Sequence, residues 1–229
     1  MNIDCVADLH GFFPELPGGD LLIIAGDLTA KDELVQYLQF NKWLSQQKYR
    51  RKIVVAGNHD NYCELGMPIE LLPGENKKNI PISADKAIYL EDSGCTFEAL
   101  KIWGSPWTKT FEGMNPNCKA FTCDTEEELE EKWKLIPDDI DILITHSPPL
   151  GKLDKIKIDK DMFISIGSRS LETALIQRPS IVLHVFGHIH EGYGKQSPHR
   201  FSEQIRTFVN CSHVNEHYQP VNKPVRMIL

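Results

Sequence analysis

Aspartate, asparagine and histidine side chains follow several short apolar runs of this sequence, at the point where each run ends. They are Asp8 and His10, Asp27, Asn58 and His59, His146, and His188 and His190. Carboxylate, amide and imidazole groups bind divalent metal ions, and imidazole suits Zn, Fe, Mn and similar ions better than Mg or Ca. Each motif alone is common in metal-free turns, but their joint occurrence at run ends predicts a metal centre.

The spacing within the motifs indicates which side chains share an ion. Residues i and i+2 of an extended chain point the same way, so Asp8 and His10 can face one ion together, and His188 and His190 can face the same site. Asp27 has two carboxylate oxygens and is the candidate bridge between two cations. Glycine, which permits unusual dihedrals and close backbone approach, directly precedes three of the motifs. These glycines are Gly26, Gly57 and Gly187.

Short apolar runs precede these motifs, and runs of about four to eight such residues are typical of strands buried on both faces. They are Ile3–Ala7, Leu21–Ala25, Ile53–Ala56, Ile140–Thr145 and Ile181–Phe186. Helical patterns lie between them at Asp32–Gln46 and Thr125–Lys134, the second opening with a Thr-x-x-Glu capping box. Alternating strands and helices predict an α/β domain, and sites in such sheets gather at the carboxyl ends of strands.

Length and composition limit the possible classes of protein. The 229 residues favour a single domain over 1–229. No apolar run approaches the roughly 20 residues needed to cross a bilayer, and no signal peptide is recognisable. Six scattered cysteines favour reduced thiols, so we expect a cytoplasmic protein without a membrane partner. The net charge of −7 argues weakly against a dedicated nucleic-acid binder. Residues 61–85 and 108–123 read as long loops of the kind that border sites.

The motif series resembles that of the calcineurin-like metallophosphoesterase superfamily. It consists of Asp8-x-His10, Gly26-Asp27, Gly57-Asn-His-Asp60, His146 and Gly187-His-x-His190. The chain is also similar over almost its whole length to the metallophosphoesterase-domain-containing proteins known from bacteria and animal brain. Stretches such as Gly104-Ser-Pro-Trp107 and Ile144–Gly151 carry this second likeness. Ser147 stands where glycine is frequent, and the stretch Met114–Cys123 is longer and more polar than this group leads us to expect.

The resemblance implies a fold, and it implies which residues bind each metal ion and which one is catalytic. The fold would be an α/β/β/α sandwich of two mixed β-sheets flanked by helices, with a dinuclear metal site at the carboxyl edge of the strands. One metal would be held by Asp8, His10, Asp27 and His190. The other would be held by Asp27, Asn58, His146 and His188. His59 would be a catalytic histidine that is not a ligand, and Asn58, His59 and Trp107 are candidate substrate contacts.

The resemblance further implies a phosphodiesterase that acts on cyclic nucleotides or similar small phosphodiesters with water activated by two divalent ions. Mn²⁺ is the expected metal, with Fe, Zn, Ni or Mg as alternatives. His59 would protonate the leaving alkoxide as a general acid. Three alternatives stay open: a catalytically weak protein-binding scaffold with this fold, a phosphomonoesterase or phosphoprotein phosphatase, and a nuclease. The acidic charge counts against the nuclease, and the presence of every ligand counts against the scaffold.

Overall fold

A computed structural model describes residues 1–66, 87–111, 113–197 and 206–229 of the protein. Most of the predicted loop 61–85 lies outside the described residues. No helix within the described ranges is long and apolar enough to cross a membrane. All six cysteines are free thiols. The cytoplasmic location stays a prediction.

Within the described residues, the first sheet has five strands, four from the first 89 residues and one from the last five. They are β1 (Asn2–Val6), β2 (Gly19–Ala25), β3 (Tyr49–Val55), β4 (Ala87–Tyr89) and β15 (Val225–Ile228). Their order is β15-β1-β2-β3-β4. The four strands β1 to β4 are parallel, and β15 pairs with β1 in the antiparallel sense.

The second sheet has six strands in the part of the chain that the structure describes. They are β5 (Ser93–Phe97), β6 (Leu100–Ser105), β9 (Ile142–Thr145), β12 (Leu183–Phe186), β13 (Gly194–Gln196) and β14 (Thr207–Asn210). The order is β13-β14-β12-β9-β6-β5, with a parallel centre and an antiparallel strand at each edge. The described residues also form two small pairs of strands. One is the parallel pair β7 (Thr108–Lys109) and β8 (Thr122–Cys123), and the other is the hairpin of β10 (Lys155–Asp159) and β11 (Met162–Ser165).

The helices cover the outer faces of the two sheets. They are α1 (Leu34–Gln46), α2 (Asn61–Glu64), α3 (Glu126–Trp133) and α4 (Arg169–Ile176), with a 3₁₀ turn at His190–Gly192. Helix α3 begins with the predicted capping box, in which the Thr125 side chain accepts the Glu128 N–H and the Glu128 side chain accepts the Thr125 N–H. Helix α1 packs on the first sheet, and α3 and α4 pack on the second.

The alternation of side chains along the central strands produces the layers. In β2, Leu21 and Ile23 point into the core between the sheets, whereas Leu22 and Ile24 point outwards to helix α1. Side chains of β9 and β12 fill the other half of the core between the sheets. Each central strand therefore needs apolar residues on both faces, as its sequence indicated. The predicted sandwich of two mixed sheets flanked by helices is confirmed.

Candidate metal centre

The predicted ligands lie in the loops that leave the carboxyl ends of five strands. Asp8 and His10 follow β1, Asp27 follows β2, and Asn58 follows β3 in the first sheet. His146 follows β9, and His188 and His190 follow β12 in the second. Because the two sheets pack face to face, these loops meet at one edge of the sandwich, and the side chains from both sheets converge there.

The backbone of this region is in the left-handed conformation at several ligand positions. The φ angles are 50° at Asp8, 43° at His10, 53° at Asp27 and 68° at His188. Residues with side chains adopt such angles rarely, and clusters of them are typical of functional sites. An extended chain is therefore the wrong reason for placing His188 with His190, since His188 is left-handed and His190 begins a 3₁₀ turn. It is also the wrong reason for the pairing of Asp8 with His10. The two side chains come together because the chain turns after β1.

One group of ligand atoms is formed by Asp8, His10 and His190, all within 4.8 Å of one another. The Nε2 atom of His190 lies 3.5 Å from Asp8 Oδ1 and 3.4 Å from His10 Nε2. On its other side, His10 Nε2 lies 3.6 Å from Asp27 Oδ2. These four residues are the ones that the resemblance assigned to the first metal.

A second group is formed by Asp8, Asp27 and His146, whose ligand atoms are also within 4.8 Å of one another. The Nε2 atom of His146 lies 3.3 Å from Asp27 Oδ1 and 3.0 Å from Asn58 Oδ1. The ring of His188 packs against that of His146 at a centroid distance of 4.9 Å. The two oxygens of Asp27 thus face different histidines, which is the geometry that a bridging carboxylate requires.

The hydrogen bonds of the histidines indicate a site for cations. Nδ1 of His146 lies 3.0 Å from the Ala25 carbonyl, and Nδ1 of His190 lies 3.1 Å from the Asn215 carbonyl. A carbonyl only accepts, so each Nδ1–H donates and the neutral ring keeps a lone pair on Nε2. The lone pair of His146 then faces oxygens of Asp27 and Asn58. Acceptors that face one another in this way fit a shared divalent cation, with the carbonyls orienting the rings.

Charges within the centre oppose the effect of burial on its titratable groups. Burial alone would raise the pKa of Asp27, but the His146 and His59 rings outweigh it and hold that pKa well below its usual range. Burial alone would lower the pKa of His146, but the Asp27 and Asp8 carboxylates raise it to about 9. A metal ion at this ring would displace a proton, since only the neutral imidazole is a ligand.

The glycines before the motifs make room for the ligands. A β-carbon at Gly187 would overlap Asp8 Oδ2, one at Gly57 would overlap Asp27 Oδ1, and one at Gly26 would overlap the His146 ring. Of the three, Gly26 also has a φ of +100°. The close approach expected from the sequence is therefore present at all three positions.

The supporting roles of Ser212 and Asp60 were not predicted from the sequence, although Asp60 stands in the motif Gly57-Asn-His-Asp60. Ser212 donates from Oγ to Asp8 Oδ2 at 2.6 Å and is itself held by Asn210. Asp60 accepts the backbone N–H groups of Leu28, Thr29 and Gly57, which ties the loop after β2 to the loop after β3. A sequence signal that could have identified Ser212 is its place just after strand β14, which ends at Asn210. Its partner Asp8 is 204 residues away in the chain.

His59 lies at the edge of the centre and lines its cavity. Its Nδ1 lies 3.1 Å from the Ala30 carbonyl, and its Nε2 lies 3.9 Å from Asp27 Oδ2. Its ligand atom is also within 4.8 Å of those of His10 and Asp27, so the distances permit both a ligand and a free histidine. Its role as a general acid without a bound metal therefore stays a prediction.

Trp107 does not line the cavity beside the metal centre. Its indole N–H donates to Asp92 Oδ2 at 2.7 Å, Lys132 Nζ lies over its ring, and the ring packs edge-on against Phe121. These contacts explain the partial burial of Trp107 without a ligand. Contact between Trp107 and a substrate stays a prediction that the geometry does not favour.

A cavity of about 800 Å³ opens next to the metal centre. Asp27, Asn58, His59, His188 and His190 form its floor on the side of the centre. Its walls include residues of the predicted loop 108–123 and the neighbourhood of the β10–β11 hairpin. The expectation that the 108–123 segment borders the site is thus met, and the volume admits a ligand of nucleotide size.

We expect the purified protein to bind two divalent ions per chain, because Asp27 has one oxygen toward each group of ligands. Elemental analysis after reconstitution with Mn, Fe or Zn, followed by removal of free metal, measures the stoichiometry. A control reconstitution at pH 5 should lower occupancy, since protons compete for the imidazoles. Occupancy near zero under saturating metal at neutral pH would contradict the metal centre.

The sequence of this chain is similar to those of several known proteins, and the similar segments include the residues of the candidate metal centre. A family model described as calcineurin-like phosphoesterase matches residues 1–192. The human and mouse proteins called "Metallophosphoesterase domain-containing protein 1" are each 37% identical over 236 residues, which are 96% of this chain and 68% of theirs. An Emericella nidulans protein called "Probable rhamnogalacturonate lyase C" is 36% identical over 205 residues, which are 86% of this chain and 18% of that protein. Every predicted ligand lies within the segment that the family model matches.

Proposed function

This chain belongs to the calcineurin-like phosphoesterase family, and we propose that it acts within that family as a phosphodiesterase on small substrates, cyclic nucleotides among them. The observation that carries the proposal is the convergence of carboxylates, an amide and histidines from five loops beside an 800 Å³ cavity. We further propose that Mn²⁺ is the native metal, with Fe, Zn, Ni or Mg as alternatives. The partner would be a small cytoplasmic phosphodiester or nucleotide, neither a nucleic acid nor a membrane.

In the proposed mechanism, Asp8, His10, Asp27 and His190 would hold one ion. Asp27, Asn58, His146 and His188 would hold the other. Two bound cations would supply Lewis-acid charge at the phosphoryl group and lower the pKa of a water molecule. Ser212 fixes the orientation of Asp8 by its hydrogen bond, and the carbonyls of Ala25 and Asn215 fix the rings of His146 and His190.

His59 is the residue that we propose as the proton donor to the leaving group. Its Nδ1–H donates to the Ala30 carbonyl, which turns Nε2 toward Asp27 and the cavity. A protonated His59 would deliver the Nε2 proton to the departing alkoxide oxygen, as a general acid does. His59 Nε2 lies 3.9 Å from Asp27 Oδ2, so this nitrogen is near the place where a phosphoryl group would bind.

The charges on the cavity wall support diesters over monoesters. Among the described residues that line the cavity, Lys109 is the one lysine or arginine, and Glu126, Glu191 and Glu216 also line it. A phosphomonoester carries up to two negative charges at neutral pH, and a diester carries one. A wall with more carboxylates than cations repels the dianion more strongly. The lyase name of the Emericella protein is not transferred, since the match spans 18% of that protein.

We expect bis(p-nitrophenyl) phosphate to be cleaved with a kcat/KM at least roughly tenfold above that of p-nitrophenyl phosphate, a difference of about 1.4 kcal/mol in barrier. The two substrates share a leaving group, so the comparison isolates the charge and the second ester. The measurement is repeated with Mn, Fe, Zn, Ni and Mg, and with cyclic nucleotides. An Asp27→Asn variant serves as the control that assigns the activity to this site. A preference for the monoester with several metals would overturn the diesterase proposal.

A further inference from the structure

Tyr218 is an aromatic residue beside the metal centre to which neither the motifs nor the proposed mechanism gives a role. Its backbone has a φ of 57°, in the left-handed region that bulky residues rarely adopt. Its side chain lines the cavity, and the residue is 50% exposed. An aromatic residue that served only to fill the core would be buried, and it would not need a strained backbone.

The turn that carries Tyr218 is built by the side chain of Asn215. Asn215 Oδ1 accepts the N–H groups of His217 at 3.0 Å and Gln219 at 2.9 Å, and the Tyr218 N–H donates to the Asn215 carbonyl at 2.8 Å. The same carbonyl also accepts from His190 Nδ1. The position of Tyr218 is therefore fixed to a candidate metal ligand by a single peptide group.

The ring of Tyr218 stands against three histidines of the centre. Its centroid lies 4.9 Å from that of His10, 5.2 Å from that of His190 and 6.3 Å from that of His59. The contacts with His10 and His190 are edge to face, with interplanar angles of 73° and 89°. Much of the ring thus remains open to the cavity, next to the place where a phosphoryl group would bind.

A second exposed aromatic residue lines the same cavity. Phe111 is 57% exposed, and its ring lies 6.5 Å from that of His188, a residue assigned to the other metal. Exposed aromatic faces in a concave site bind planar groups by stacking, and the attraction depends little on the identity of the ring. The cavity therefore has an aromatic surface beside each half of the metal centre.

We propose that Tyr218 is a specificity-determining residue whose ring contacts a planar aromatic group of the substrate, so that the site selects phosphoesters that carry such a group. This inference rests on the proposed function in that the ligand is a phosphoester. It concerns binding, however, and is tested without turnover. The hydroxyl group of Tyr218 is not required for a contact made by the ring.

The test compares the binding of phenylphosphonate and methylphosphonate to Mn²⁺-saturated protein by isothermal titration calorimetry. Both carry the same phosphonate group and lack a bond that the protein could hydrolyse, so the difference reports on the ring alone. The wild-type protein should bind phenylphosphonate roughly tenfold more tightly, within the range measured for aromatic stacking. Tyr218→Leu should reduce this preference to about twofold or less, and Tyr218→Phe should retain it. Phe163→Leu, which removes an exposed aromatic ring outside the cavity, should leave it unchanged.

Three outcomes would overturn the proposal. They are a wild-type protein without preference for phenylphosphonate, a Tyr218→Leu variant that loses affinity for both ligands equally together with bound Mn²⁺, and a Tyr218→Phe variant that behaves like Tyr218→Leu. Failure of the proposed function has a different signature: aromatic preference in binding, with no hydrolysis of any diester. Hydrolysis of diesters without aromatic preference would refute the role of Tyr218 alone.

Discussion

Replacing Asp27 with alanine should remove both metal ions and essentially all turnover. Asp27 Oδ2 faces His10 and Asp27 Oδ1 faces His146, so one substitution takes a ligand from each group. It also removes one of the two carboxylates that attract cations to these groups, the other being Asp8. We expect activity to fall roughly a thousandfold or more, beyond the 10–100-fold typical of losing a partner of a ligand.

Metal content by elemental analysis and hydrolysis of bis(p-nitrophenyl) phosphate measure the two losses. The alanine variant also removes the acceptor of the His59 backbone N–H, which is Asp27 Oδ1. Asp27→Asn is therefore the second variant, because its amide oxygen can still accept this hydrogen bond but carries no charge. Asp159→Ala, on the exposed β10–β11 hairpin, is the matched control and should retain both metals and activity. Two metals bound to a folded Asp27→Ala protein would show that Asp27 does not bridge them.

Replacing His59 with alanine should slow the reaction without emptying the metal centre. If His59 is not a ligand, both ions stay bound and the fold is intact. Turnover should fall by about 10²–10⁴-fold, the range for loss of a general acid. The loss should be largest for a poor leaving group such as a ribose alkoxide of a cyclic nucleotide. It should be smaller for p-nitrophenolate, which departs with little protonation.

The two leaving groups and the metal content together separate the possible roles of His59. His217→Ala is the matched control, because His217 is exposed and its ring pairs with Glu216 instead of the centre. Equal losses for both leaving groups, accompanied by loss of metal, would instead identify His59 as a ligand or as a brace of the Asn58 loop.

The sequence by itself determined the central strands and the residues that end them. A strand buried on both faces must be apolar along its whole length, and the polar motif that follows must lie at the edge of the sheet. Both properties are local and could be recognised in runs such as Leu21–Ala25 followed by Asp27. The capping box of α3 was equally local, because Thr125 and Glu128 satisfy each other within one turn.

The elements that were not identified lack a distinctive pattern of apolar residues in the local sequence. Strands β5 and β6 contain glycine, serine, lysine and threonine, and they form because β6 pairs with β9 some 40 residues later. Strands β10 and β11 expose most of their side chains, so no burial pattern marks them in the sequence. Helix α4 has only eight residues, and it is stabilised by packing on the second sheet.

The arrangement within the site was decided by the tertiary structure alone. The sequence indicated that Asp8 and His10 act together, but left-handed turns, not an extended chain, bring them together. The pairing of Asp8 with His190 and of Asp27 with His146 depends on how the two sheets pack, which spacing along the chain does not encode. Ser212 and Tyr218 reach the centre in the same way, from loops after β14 whose partners lie about 200 residues earlier. Ligand types are a property of local sequence, whereas distances between ligands are set by contacts between layers.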